Sequence, residues 1–229
     1  MVMKNRKKIL IISLTLLASF TSAAETVTKG MKKVIDDALD FSVKQSMSMF
    51  YEMKDQKGIL PRTAENGKMI TCESAWWTSG FYPGTLWYCY EYSNDPQIRA
   101  AAEEMTSRVE KQKYTTSNHD VGFIINCSFG NGYRLTHNET YRKVIETAAK
   151  SLSTRFHPVT GCTRSWNSKK WQFSVIIDNM MNLELLNVAS SLTGDNTYYN
   201  MAKSHADRTM INHFRPDGSS YHVVSYDTI

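Results

Sequence analysis

Apolar and polar positions along the chain repeat as a three-part unit: a helix-length stretch that is apolar on most sides, a short polar turn, and a stretch where charges alternate with apolar residues at helical spacing. Residues 86–92, 121–135 and 175–192 are of the first kind, which predicts helices enclosed by neighbours. Residues 98–109, 141–156 and 198–214 are of the second kind, with Val144, Ala148 and Leu152 on one face, which predicts helices with one side in water. An earlier helix of the outer type is expected from about residue 31 to residue 53.

The turns between the paired stretches are 93–96, 136–139 and 193–196, and each contains an Asp or Asn placed to cap the second helix: Asp95, Asn138 and Asp195. Pro96 suits a first-turn position. Two of the outer helices share an exit, Phe156-His157-Pro158 with Gly161 and Phe214-Arg215-Pro216 with Gly218, each followed by an extended stretch. The unit is therefore outer helix, turn, extended loop, inner helix. Inner helices ringed by outer ones make an all-α fold, an (α/α)6 toroid of helical hairpins whose funnel is lined by the inner helices and the loops at their N-termini. About seven helices fall within the 229 residues, so the toroid is expected to be incomplete in this chain.

The first residues change the charge picture. Lys4, Arg6, Lys7 and Lys8 precede an apolar run of about 12 residues ending at Phe20, and Ser22-Ala23-Ala24 follows, the order of a secretory signal. The run is too short to span a bilayer of roughly 30 Å as a helix. Residues 1–24 are thus expected to be a signal peptide, and 25–229 the N-terminal part of a catalytic domain exported across an inner membrane to a periplasm, with no membrane insertion after cleavage. Removing four of the 27 basic residues and none of the 22 acidic ones brings the net charge from +5 to +1, so charge gives no case for a nucleic-acid partner. Cys72, Cys89, Cys127 and Cys162 could pair in an oxidising compartment, but their spacings fit no zinc pattern and they read as small buried apolar residues.

The register of the repeat selects the candidate chemistry. Eighteen residues before Asn138 lies Asp120, 17 before Asp195 lies Asp178, and 18 before Asp95 lies Trp77, so two carboxylates and a tryptophan fall at the starts of three inner helices. Aromatic faces stack on pyranose rings, and carboxylates bind hydroxyls or move protons, which suits a sugar. Trp76, Trp77, Phe81, Trp166 and Trp171 all fall near these loops. Simple N-capping competes with this reading, with real weight for Asp120 beside His119. Asp178 fits capping less well, because Ile176 and Ile177 precede it and Asn179-Met180-Met181-Asn182 follow; a carboxylate in such a helix is desolvated and its pKa should rise. Trp87, inside an inner helix, is assigned to packing.

Taken in order, Trp77-Thr78-Ser79-Gly80-Phe81, Leu86-Trp87-Tyr88, His119-Asp120-Val121-Gly122-Phe123, Ile176-Ile177-Asp178-Asn179-Met180-Met181-Asn182 and Ser219-Ser220-Tyr221-His222 resemble family 88 of the glycoside hydrolases, the unsaturated glucuronyl hydrolases. The resemblance extends over nearly the whole of residues 25–229. It implies hydration of the C4=C5 double bond of the unsaturated uronate at the non-reducing end of lyase-generated oligosaccharides. Asp178 matches the acid/base and Asp120 the second aspartate that binds ring hydroxyls. Trp77, Phe81, His119, Trp166 and His222 match substrate-contacting positions. No metal and no organic cofactor is implied.

Four other readings stand beside this one. The related unsaturated rhamnogalacturonyl hydrolases share the toroid and the hydration chemistry, with pectin-derived substrates. An ordinary inverting glycosidase would use the two carboxylates as acid and base about 6.5–9.5 Å apart. A truncated toroid could be a sugar-binding module without turnover, or an inactive fragment.

Overall fold

The computed structural model describes residues 28–229, so the signal peptide expected at 1–24 lies outside the described residues. Contacts divide the chain into two units, Met1–Asp40 and Phe41–Ile229. The described part of the first is helical, and its Lys32–Asp36 and Lys33–Asp37 pairs, each 2.6 Å, are the i,i+4 arrangement that helix geometry brings together. It forms the start of α1, Lys29–Met53.

In the second unit, α1 ends where the Arg108 guanidinium donates to the carbonyls of Met53, Lys54, Gln56 and Ile59, satisfying acceptors that a helix C-terminus leaves open. A β-hairpin follows, β1 (Ile59–Glu65) paired antiparallel with β2 (Lys68–Glu73). Its turn places Asn66 and Gly67 at φ 50° and 73°, the left-handed conformation that a two-residue hairpin turn needs.

The helical hairpins come next. Enclosed α2 (Phe81–Ser93) pairs with outer α3 (Pro96–Ser107). Val121–Thr136 begins as α4 (Val121–Ile125), passes through a π-helical turn (Asn126–Gly130) and ends as α5 (Asn131–Thr136), packed on outer α6 (Glu139–Ser153). The third hairpin joins short α7 (Asn179–Asn182) and α8 (Glu184–Thr193) to outer α9 (Asn196–Asn212). The three predicted caps form: Asp95, Asn138 and Asp195 accept from the N–H groups of Gln97, Thr140 and Thr197 at 2.8, 2.9 and 2.8 Å.

Two expectations are corrected. Residues 175–192 do not form one helix: Phe173–Ile176 is strand β5, and the helix starts only at Asn179. β5 pairs antiparallel with β6 (Val223–Tyr226), and a second short pair joins β3 (Phe156–His157) to β4 (Cys162–Thr163), so the loops entering the inner helices are stapled rather than loose. The inner helix expected at 86 begins at Phe81, which leaves Trp77 on the turn before the helix and not at its first residue.

The main core runs between the inner and outer helices, with Val121, Ile124, Ile125, Phe129, Ile145, Leu152, Leu185 and Leu186 all buried. Burying a side chain of this size contributes roughly 1.5–3 kcal/mol before conformational entropy is counted. Trp87 is fully buried, as its packing assignment requires, and its indole N–H donates to Thr106 Oγ1 at 2.9 Å. The four cysteines are unpaired, with Cys89 and Cys162 buried. Among the described residues no helix is long and apolar enough to cross a membrane.

Candidate active site

Two glycines set the spacing of the inner helices. A Cβ on Gly80 would lie 2.2 Å from the Ile124 carbonyl oxygen, and one on Gly122 would lie 2.5 Å from the Asn182 oxygen. Only hydrogen fits at either contact, so α2 approaches α4 and α4 approaches α7 backbone to backbone. The second contact juxtaposes the loops that carry Asp120 and Asp178.

Both aspartates occupy the residue before their helix, yet neither side chain caps it. Their backbones are helical, φ −64°, ψ −11° at Asp120 and φ −69°, ψ −11° at Asp178, whereas a capping residue is typically extended, which lets its side chain fold back onto the N–H groups. The donor that Asp120 leaves open at Phe123 is taken by the buried Asn182, whose Oδ1 accepts from it at 2.7 Å. The N-capping alternative therefore fails for both carboxylates, and the helix is capped by a residue from its neighbour.

Burial and the nearby charge of Asp178 push the Asp120 carboxyl up to about 6, against a smaller opposing pull from Arg155. Burial also raises Asp178 above the ordinary carboxylate range, partly offset by His222. Asp178 Oδ1 is enclosed and has no hydrogen-bond partner among the described residues. The loop carrying His222 is tied to the same turn, its carbonyl accepting from Ile177 N–H at 2.9 Å. His222 therefore stands next to Asp178, although its side chain is exposed.

The aromatic candidates fall into two groups. Trp77, Phe81 and Phe123 form a cluster with ring centroids 5.5–6.0 Å apart, in which Phe81 meets the other two edge-to-face, and Phe123 lies one turn along the helix from Asp120. Trp77 keeps 42% of its surface exposed. Trp166 and Trp171 contact each other at 6.2 Å, and Trp166 bridges Asn118, two residues before Asp120, and Ser174 in β5. Trp171 packs on Trp166, with Lys170 Nζ 4.9 Å from its ring centre.

His119 is placed differently from the other candidates. It is 2% exposed, with Nε2 3.3 Å from Asp120 Oδ1, so it abuts the carboxyl from the protein side and offers almost no surface to a ligand. Burial pushes its pKa down to about 4, which keeps the imidazole neutral. Arg155 and Asn179 were not singled out from the sequence. The Arg155 guanidinium, 8% exposed, donates to the carbonyls of Thr116 and Arg164 and so pins both loops flanking Asp120. Among the described residues no group of three or more His, Cys, Asp or Glu is arranged to hold a metal ion.

No protein-family model matches the chain. Over 156 residues, 67% of this chain and 39% of the relative, it is 47% identical to the unsaturated glucuronyl hydrolase of Formosa agariphila. Over 200 residues, 84% of this chain and 49% of the relative, it is 33% identical to the unsaturated chondroitin disaccharide hydrolase of Streptococcus pyogenes serotype M1. A crystal structure of an unsaturated glucuronyl hydrolase specific for heparin superposes with a TM-score of 0.79 at 42% identity, covering 85% of this chain and 53% of that one. The chain spans about half the length, or less, of these relatives.

Proposed function

Because the chain belongs to the unsaturated glucuronyl hydrolases, family 88 of the glycoside hydrolases, we propose that it carries the acid/base region of an enzyme that removes the unsaturated uronate from the non-reducing end of lyase-generated oligosaccharides. The observation that carries this reading is the pair of neighbouring aspartates released from helix capping, one of them with a buried oxygen that no described residue satisfies.

In this reading the protonated Asp178 delivers its proton to C4 of the C4=C5 double bond. Water adds its oxygen at C5 and gives a proton back to Asp178, which restores the acid. The resulting hemiketal opens and frees the neighbouring sugar. Burial suits the first step, since it keeps the carboxyl protonated above the ordinary carboxylate range. Asp120 binds ring hydroxyls, and Trp77, Phe81 and Trp166 supply apolar faces for the sugar rings. His222 faces the acid/base, and His119 supports Asp120 from behind instead of touching substrate. No step needs a metal or an organic cofactor. Residues 1–24 serve in export to a periplasm, which N-terminal sequencing of the exported protein tests.

The experiment is a pair of assays on the full-length protein. An unsaturated uronyl disaccharide should lose the ultraviolet absorbance of its conjugated double bond, while the saturated disaccharide of the same size stays uncut. Equal cleavage of both would replace hydration by ordinary glycosidic hydrolysis.

A further inference from the structure

Behind Asp120 lies a chain of buried polar groups whose direction the backbone fixes. Thr163 N–H donates to His205 Nδ1 at 2.9 Å, and the Thr163 carbonyl accepts from Asn179 Nδ2 at 2.7 Å. Ser165 Oγ accepts from the same Asn179 nitrogen at 3.3 Å. Asn179, Thr163, Ser165 and His205 are each fully buried. A carbonyl cannot donate, so the Asn179 amide has one orientation: nitrogen toward Thr163, oxygen on the other side. Burial pushes the His119 pKa down, and the nearby Asn179 side chain pulls it part of the way back up. Asn179 Oδ1 and His119 Nδ1 are both enclosed, and neither has a hydrogen-bond partner among the described residues, while His119 Nε2 lies 3.3 Å from Asp120 Oδ1.

We propose that Asn179 is a positioning residue that holds His119 as its Nδ1–H tautomer, so that a bare Nε2 faces Asp120 and the proton between them belongs to the Asp120 carboxyl. An oxygen acceptor at Nδ1 requires the hydrogen there, and a neutral imidazole has only one N–H. Its other nitrogen then carries a lone pair, which would repel an ionised carboxylate and accepts from a protonated one. Asp120 is thereby kept as a neutral hydrogen-bond donor toward His119, with its second oxygen left for a sugar hydroxyl. A neutral Asp120 also removes one of two like charges that would otherwise face each other across the site. The groups acting on the pair are consistent with this: burial and Asp178 favour the protonated Asp120, and burial and Arg155 oppose protonation of His119. His205 lies close enough for its charge and that of His119 to disfavour each other. Because Asn179 directly follows Asp178, one residue couples the acid/base turn to the second carboxyl.

The consequence for the rate rests on the proposed reading of Asp120 as a substrate-binding carboxyl, but the tautomer does not. The test is nitrogen NMR of the full-length protein labelled in its histidine rings, with pH–rate profiles of two variants. The wild type should show Nδ1–H and a bare Nε2 for His119. Asn179→Leu removes the acceptor, frees His119 to turn its N–H toward Asp120, and should move the Asp120 limb of the rate profile by about one pH unit toward acid. Asn179→Asp keeps an oxygen acceptor, adds a negative charge, and should move the limb toward alkali. Both variants lose the bond to Thr163, so a purely structural role would shift them alike or not at all, and that result overturns the proposal. An Nε2–H signal in the wild type overturns it as well, and decides the matter even if Asn179→Leu does not fold. Absent turnover with Nδ1–H in place would instead overturn the proposed function and leave the tautomer assignment standing.

Discussion

The turns that join paired helices and the turns that carry Asp120 and Asp178, at the expected mouth of the toroid's funnel, set Asp or Asn at the same position, immediately before a helix, and use it in opposite ways. Asp95, Asn138 and Asp195 have extended backbones, with ψ of 121°, 112° and 104°, and their side chains bond back to the helix they start. Asp120 and Asp178, with ψ of −11°, do not cap. A change of about 120° in one backbone angle therefore separates a residue spent on stability from one whose carboxyl is free for chemistry. At the mouth, Asn182 takes over the capping of α4, so that helix does not lose its partner when Asp120 is released.

The largest effect that would break this comparison is expected at Asp178. Asp178→Asn keeps the size of the side chain and removes the proton, so turnover by the full-length protein should fall by about 10²–10⁴ with binding of the unsaturated substrate largely kept. Full activity would remove Asp178 from the chemistry. Asp120→Asn should cost less, about 10- to 100-fold, the penalty of disturbing the buried partners of one polar group, and should raise KM as well as lower kcat. A change confined to kcat would argue against a binding role.

The same comparison predicts stabilities. Asn182→Ala leaves a buried N–H of α4 without its acceptor and should destabilise the protein by about 1–3 kcal/mol in a denaturant titration. Asp95→Ala and Asp195→Ala each remove a true cap and should cost about 1 kcal/mol. Asp120→Asn should cost nothing by this route. The Asp120 carboxyl is raised from the ordinary range to about 6 in the folded state, so its contribution favours folding below the ordinary carboxylate pKa and is lost as pH climbs to about 6. Asp120→Asn should flatten that part of the stability profile; an unchanged slope would show that the carboxyl does not titrate there.

The hairpins were legible because capping is local. A Ser, Thr, Asp or Asn before an amphipathic run states its own role, and Asp95, Asn138 and Asp195 do what the sequence implies. The mouth was only half legible. Counting back from the caps found Asp120 and Asp178, but whether they cap depends on backbone angles set by the approach of α4 to α7 at Gly122, which no local pattern encodes. The mostly apolar stretch at 175–192 hid the end of a strand, because periodicity cannot tell a buried strand from a buried helix. The β1–β2 hairpin did leave a signal, Asn66-Gly67, which the helical repeat overshadowed. His119 was found for its neighbour Asp120, but its burial was not readable. Asn179 gave no sign of its part, since Thr163, which it bonds, and His119, which it is proposed to hold, lie 16 and 60 residues away.

The central claim, that the mouth carboxylate Asp178 protonates carbon and does not assist direct cleavage of the glycosidic bond, is tested most directly by running the full-length protein on an unsaturated uronyl disaccharide in heavy water and reading C4 of the first-formed product by NMR. Hydration places one deuterium at C4 per turnover, because the proton that Asp178 delivers comes from solvent. A product that keeps its C4=C5 bond, with no deuterium at C4, would contradict the account.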